Sequence, residues 1–216
     1  MKIALFTNKS QEAHIAAEII QPKVVVTNKY DKRIDLSEMD LLVSYCYRSR
    51  IDVSVFSKPK YGGINFHPAP LPKYRGFAVY NFGILNEEEK WGVTVHCLED
   101  TIDTGDILAS DTFHIDKTKE TAKSLRDKSH ICMLKMMSKV IKDFKDLYLA
   151  RKPQKGQGGY YSKYMMDMAR RVRDEDDPST VNKKIRAFWN PPHDGAFIVK
   201  NGQILTLVNK EAIKLI

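Results

Sequence analysis

Residues 2–7 form an apolar run of strand length, and Ser10 follows as a helix N-cap whose hydroxyl can accept from an early helical amide. Ala13, Ala16, Ala17 and Ile20 then recur at helical spacing until Pro22 ends the helix, and Val24-Val25-Val26 reads as a second strand. A strand, helix, strand opening predicts a parallel sheet with right-handed crossovers. Leu41-Leu42-Val43-Ser44-Tyr45 is the next strand, after which the chain turns through Cys46-Tyr47-Arg48-Ser49-Arg50-Ile51. In Ile64-Asn65-Phe66-His67 apolar and polar positions alternate. If this is a strand, Ile64 and Phe66 enter one layer while Asn65 and His67 project together from the other. Pro68, Pro70 and Pro72 cannot donate to a sheet ladder, so the strand must stop at His67 and the chain must leave as a stiff loop.

Downstream, the apolar positions of residues 76–85 predict a helix packed under that loop, its aromatics core rather than ligand platform. Residues 92–98 predict another strand, followed by the polar loop 99–106 and a further apolar run from Ile107. A loop this acidic, taken alone, is a turn whose side chains cap backbone amides. Thr118 is the expected cap of a long helix reaching about Leu149, with Leu125, Cys132, Met136, Val140, Ile141 and Phe144 at helical spacing and Pro153 beyond its end. The glycine-rich residues 154–161 lack the lysine placement of a phosphate-binding loop and read as an irregular connection, and residues 170–177 as a solvated linker. Ser179 is the expected cap of a short helix halted by Pro191-Pro192. Asn201-Gly202 between two apolar runs predicts a β-hairpin with a type I′ turn.

Composition narrows the class. With 216 residues, 43% hydrophobic and 29% charged, the chain suits one sizeable core, expected as a catalytic domain over 1–152, a linker over 153–178 and a C-terminal helix and hairpin over 179–216. The net charge of +8 favours an anionic partner. Cys46, Cys97 and Cys132 are isolated, which points to free thiols, and neither a CxxC pair nor HExxH-type spacing marks a metal site. The first apolar run is too short for a signal-peptide core, no window approaches a membrane span, and a cytoplasmic protein is expected. No glycine-rich dinucleotide fingerprint follows the first strand.

Asn65-Phe66-His67-Pro68, followed by Leu71-Pro72-Lys73-Tyr74-Arg75-Gly76 and then by Gly92-Val93-Thr94-Val95-His96 and Asp103-Thr104-Gly105-Asp106-Ile107, resembles the 10-formyltetrahydrofolate-dependent formyltransferases. Within them it is most similar to enzymes acting on nucleotide-linked sugars. The resemblance implies an α/β fold, a Rossmann-like and mostly parallel sheet flanked by helices, with a small C-terminal helix and hairpin through which a homodimer forms. It implies Asn65, His67 and Asp103 as catalytic residues, and Ser49, Arg50 and Ile51 with Glu99, Asp100, Thr101 and Ile102 as the folate cleft. The co-substrate would be 10-formyltetrahydrofolate, with no metal. The acceptor would be a nucleotide-linked amino sugar on the way to a surface glycan such as an O-antigen, with no membrane or nucleic acid as partner. Formylation of methionyl initiator tRNA is the alternative. The family has a further crossover where residues 28–39 are too short to hold one, so a strand is expected to be missing there.

Formyl transfer to an amine requires removal of a proton, a donor for the tetrahedral oxyanion and protonation of the leaving nitrogen. An imidazole, an amide NH₂ and a carboxylate that orients the imidazole can share these tasks, and His67, Asn65 and Asp103 supply one of each. His96, on the strand leading to Asp103, could line the sugar pocket. Arg75 either binds phosphate or pins the catalytic loop through carbonyl hydrogen bonds, and the second is expected.

Overall fold

A computed structural model describes residues 1–208; residues 209–216, the end of the expected C-terminal appendage, lie outside the described residues. Strand β1 (Ile3–Phe6) is followed by α1 (Gln11–Ile20), where Ser10 Oγ accepts from the Ala13 amide at 3.3 Å as its sequence position predicts. Next come β2 (Val24–Val26), β3 (Leu41–Tyr45), the single turn α2 (Val53–Phe56) and β4 (Gly63–His67). Residues 27–40 join β2 to β3 without a strand of their own. The chain continues through β5 (Tyr74–Gly76), α3 (Val79–Leu85), β6 (Lys90–Cys97) and β7 (Ile107–His114).

The main sheet has the order β2-β1-β3-β4-β6-β7. Its first four strands are parallel and the β4-β6 and β6-β7 pairings antiparallel. One face buries Ile3, Leu5, Val43, Ile64, Phe66 and Val95 against α1 and the long helix α4 (Ala122–Lys142). The other face buries Phe6, Leu36, Leu42, Val55 and Phe56. The sheet is thus covered on both sides, as a parallel sheet must be.

The long helix starts and stops differently from its sequence pattern. Thr121 caps α4 through a reciprocal box with Ser124, while Thr118 closes a turn on Asp116. The expected continuous helix breaks at Asp143 and resumes as α5 (Phe144–Leu149). The residues after it are more ordered than expected, forming β8 (Gly159–Tyr161) and α6 (Lys163–Ala169). β8 pairs in parallel with β5, so the glycine-rich connection is a strand lying along the loop that leaves β4.

Helix α7 (Pro178–Ala187) is capped by Asp177, whose carboxylate accepts from the Thr180 amide at 2.8 Å, and not by Ser179. Pro178 suits the first helical position, where its missing N–H costs nothing. The hairpin of β9 (Phe197–Lys200) and β10 (Gln203–Thr206) turns at Asn201 and Gly202, whose φ values of 50° and 76° are the two positive angles of a type I′ turn. The 170–177 segment is not purely solvated: Val172 is buried and its amide bonds the Phe197 carbonyl at 2.8 Å. A third apolar cluster, with Tyr74, Trp91, Leu125, Phe188 and Ala196, welds this C-terminal part to the main body.

Candidate active site

The site is built where β4 ends. Ile64 and Phe66 face the α1/α4 layer, and period-2 alternation turns Asn65 and His67 to the opposite side of the sheet. β6 runs antiparallel to β4 with Asn65 opposite His96 and His67 opposite Thr94, so the same alternation puts His96 beside Asn65. Asp103 arrives from the loop after β6 in a left-handed conformation, φ 56°, which aspartate tolerates better than most residues. That loop folds over the end of β6 so closely that a Cβ on Gly105 would stand 2.0 Å from the Cys97 carbonyl oxygen, which accounts for the glycine.

The three groups meet around one carboxylate. Asp103 Oδ2 lies 3.6 Å from His67 Nδ1 and accepts the Gly76 amide at 2.9 Å, while Asp103 Oδ1 lies 3.4 Å from His96 Nε2. His67 Nε2 lies 2.8 Å from the Tyr74 carbonyl. A carbonyl can only accept, so Nε2 holds the proton and Nδ1 of the neutral ring presents its lone pair on the Asp103 side. Burial would raise the Asp103 carboxyl, but His67, His96 and the Gly76 amide outweigh it and hold the acid well below the usual carboxylate range. His67 is pushed below its ordinary value by burial, with Asp103 opposing. The pair at neutral pH is therefore a carboxylate and a neutral imidazole with a free lone pair.

A cavity of about 480 Å³ opens onto this cluster. Ser49, Arg50 and Ile51 line one side and Glu99, Asp100 and Ile102 the other, together with Asn65, His67 and Asp103. Thr101 alone of the sequence-derived set turns away, into an adjoining recess with Arg75 and Tyr160. Arg50 ties the two sides together through a 2.5 Å contact with the Asp100 carboxylate. Arg75 donates to the Gly158 carbonyl at 3.0 Å, a carbonyl contact of the kind expected for pinning the loop, and it also lines the recess beside Thr101.

Several residues at the cavity carried little sequence signal. His96, expected as a pocket residue, does line the cavity, but its cross-strand place opposite Asn65 needed the β4-β6 register. Tyr160 lines the wall because β8 pairs with β5. Gln154 donates to the carbonyls of Asp103 and Gly105, both at 2.9 Å, and so holds the Asp103 loop from outside. Cys46 also lines the cavity, but burial pushes its thiol up to about 12, so it is no thiolate nucleophile. Among the described residues, His67, His96 and Asp103 are also a set of possible metal ligands, with donor atoms within 4.8 Å of one another.

The arrangement of a positioned base, an amide and an ionised carboxylate beside an open cleft suits acyl transfer to an amine. Over 215 residues the chain is 24% identical to a methionyl-tRNA formyltransferase of Caldanaerobacter subterraneus, covering 99% of this chain and 69% of that one. It spans 66% and 46% of two further relatives of that name, from Finegoldia magna and Acetivibrio thermocellus. Its fold matches a 4-N formyltransferase from Francisella tularensis with a TM-score of 0.78 at 18% identity, over 96% of each chain. An N-formyltransferase from Helicobacter canadensis, solved with folinic acid and dTDP-3-aminofucose, matches with a TM-score of 0.74 at 21% identity over 95% of this chain and 86% of that one. Residues 3–141, the whole of the main sheet and the body of α4, match the formyl transferase family model, and the chain belongs to that family.

Proposed function

We propose that the protein moves the formyl group of 10-formyltetrahydrofolate to the primary amine of a nucleotide-linked amino sugar. The observation that carries formyl transfer is the Asp103 carboxylate set between two imidazoles at the floor of the cleft, with Asn65 alongside. In this reading the folate ring system lies between Ser49-Arg50-Ile51 and the 99–102 loop, with its formyl carbon near Asn65. Asn65 donates to the oxyanion, and His67 takes the proton of the attacking amine on Nδ1 while Asp103 stabilises the imidazolium that results. The same proton is then available to the leaving nitrogen. This description needs no covalent intermediate, in keeping with the protonated state of Cys46.

The sugar acceptor is supported by architecture. The match to the Francisella 4-N formyltransferase covers 96% of each chain, and the Helicobacter neighbour was solved with a nucleotide-linked amino sugar. Formylation of methionyl-tRNA is the second reading, favoured by the names of the sequence relatives and by the net charge of +8. Assay of formyl transfer to a panel of nucleotide-linked amino sugars, with charged initiator tRNA in parallel, decides between them. Turnover on the tRNA and on no sugar would reverse the assignment.

The hairpin fits a two-fold dimer, since Val199, Ile204 and Leu205 are 43%, 70% and 43% exposed on it. Sedimentation at micromolar concentration should give twice the monomer mass, and a monomer would remove this part of the reading.

A further inference from the structure

We infer that His96 is a positioning residue that sets which end of the Asn65 amide faces the reaction; the inference rests on the formyl-transfer reading above. His96 is 1% exposed, and its Nδ1 lies 2.7 Å from the carbonyl oxygen of Cys97, the next residue in the chain. A backbone carbonyl has no proton to give, so Nδ1 carries the hydrogen. In the neutral ring Nε2 is then a bare acceptor, and it stands 3.3 Å from Asn65 Nδ2. With the amide reversed, Asn65 Oδ1 would face that lone pair and two acceptors would oppose each other in a largely buried place. The NH₂ end is therefore held toward His96. One of its hydrogens serves the imidazole, and the other remains for a ligand in the cavity that Asn65 lines.

The chain of cause runs from a backbone carbonyl, through a histidine tautomer, to the direction of an amide. A carboxamide that could turn freely would present an oxygen to the developing oxyanion half of the time, which is repulsion where donation is needed. Asp103 is the competing partner, because its Oδ1 is 3.4 Å from the same Nε2. Those two contacts make opposite demands on Nε2, since Asn65 needs it bare and Asp103 could bond it only if it carried hydrogen.

Two measurements separate this role from a merely structural one. Nitrogen NMR of the free protein at neutral pH should show His96 with a protonated Nδ1 and a bare Nε2; a protonated Nε2 overturns the inference whatever the substrate proves to be. In kinetics, His96→Leu should lower kcat roughly tenfold or more with the donor KM nearly unchanged, as expected for losing the support of a donor used in the transition state. His96→Gln, which can offer an oxygen to the Asn65 NH₂, should restore part of that loss. In an Asn65→Ala background, His96→Leu should cost less than about twofold more, because the route through the amide is already gone and only the Asp103 contact remains. Equal losses in both backgrounds would assign His96 to Asp103 or to the fold instead. Absence of turnover in the unmodified protein with every acceptor would count against the formyl-transfer reading, and the NMR result would still decide the tautomer.

Discussion

The strands that end at the cleft and the segment that passes outside it, residues 151–161, enclose one site by opposite means. β4 and β6 place reactive side chains: Asn65, His67 and His96 project from neighbouring positions of an antiparallel pair. The outer segment acts mostly through its backbone. Lys152 bridges to Ile107, Gln154 holds the Asp103 loop by two carbonyls, and the Gly158 carbonyl receives Arg75. β8 then pairs along β5, and the Tyr161 carbonyl accepts the amides of Phe77 and Ala78 at 2.9 and 3.1 Å. One strap therefore fastens both of the loops that reach the cleft. In the proposed reaction the difference would separate groups that take part from groups that keep the site within the tolerance such a reaction needs.

The comparison is broken most directly at the strands. His67→Ala or Asp103→Ala should lower turnover at least about a hundredfold with the fold intact by circular dichroism, the loss typical of a positioned proton-transfer system. Asn65→Ala should remove about 3 kcal/mol of transition-state stabilisation while folate binding largely survives. Near-normal turnover in all three variants would dismantle the assignment.

At the strap the expected loss is of stability first and rate second. A Cβ on Gly158 would stand 1.7 Å from the Pro72 carbonyl oxygen, so Gly158→Ala must push the strap off the loop and should cost roughly 1–3 kcal/mol in unfolding free energy. Gln154→Ala leaves two carbonyls unpartnered and should cost about 2 kcal/mol with a rise in donor KM. If either lowered kcat as far as His67→Ala in a protein of unchanged thermal stability, the strap would be part of the chemistry and the contrast would fail.

The smallest effect is on pH dependence. Because burial lowers the His67 pKa from 6.5, the folded protein takes up that proton less readily than the unfolded chain. The acid limb of kcat/KM should therefore fall below pH 6.5, and stability should decrease as pH drops from 6.5 through the folded value, since the unfolded state binds more protons in that window. A rate profile and a denaturant titration over about pH 5 to 8 check both, and an acid limb centred above 6.5 would contradict the burial of the free imidazole.

Much of this was visible along the chain. The alternation in Ile64-Asn65-Phe66-His67, the three prolines behind it, the β-α-β opening and the Asn-Gly hairpin each follow from short-range rules, and each took the form expected. Helix starts were less visible, because Thr118 and Ser179 have side chains as suitable as those of Thr121 and Asp177, and only packing decides which turn is the first. The strap was not visible at all. Its glycines read as a loose connection because the reason for Gly158 is an oxygen 86 positions earlier in the chain, at Pro72.

By itself the sequence determined which side chains could do chemistry and which face of a strand would carry them, because strand alternation and proline stereochemistry act over a few residues. Only the tertiary structure decided the rest. The β4-β6 register brought His96 against Asn65, the Asp103 loop closed on the cluster, and the strap tied both loops down. Those contacts join residues far apart in the chain, and their geometry is set by how the layers pack rather than by any local preference.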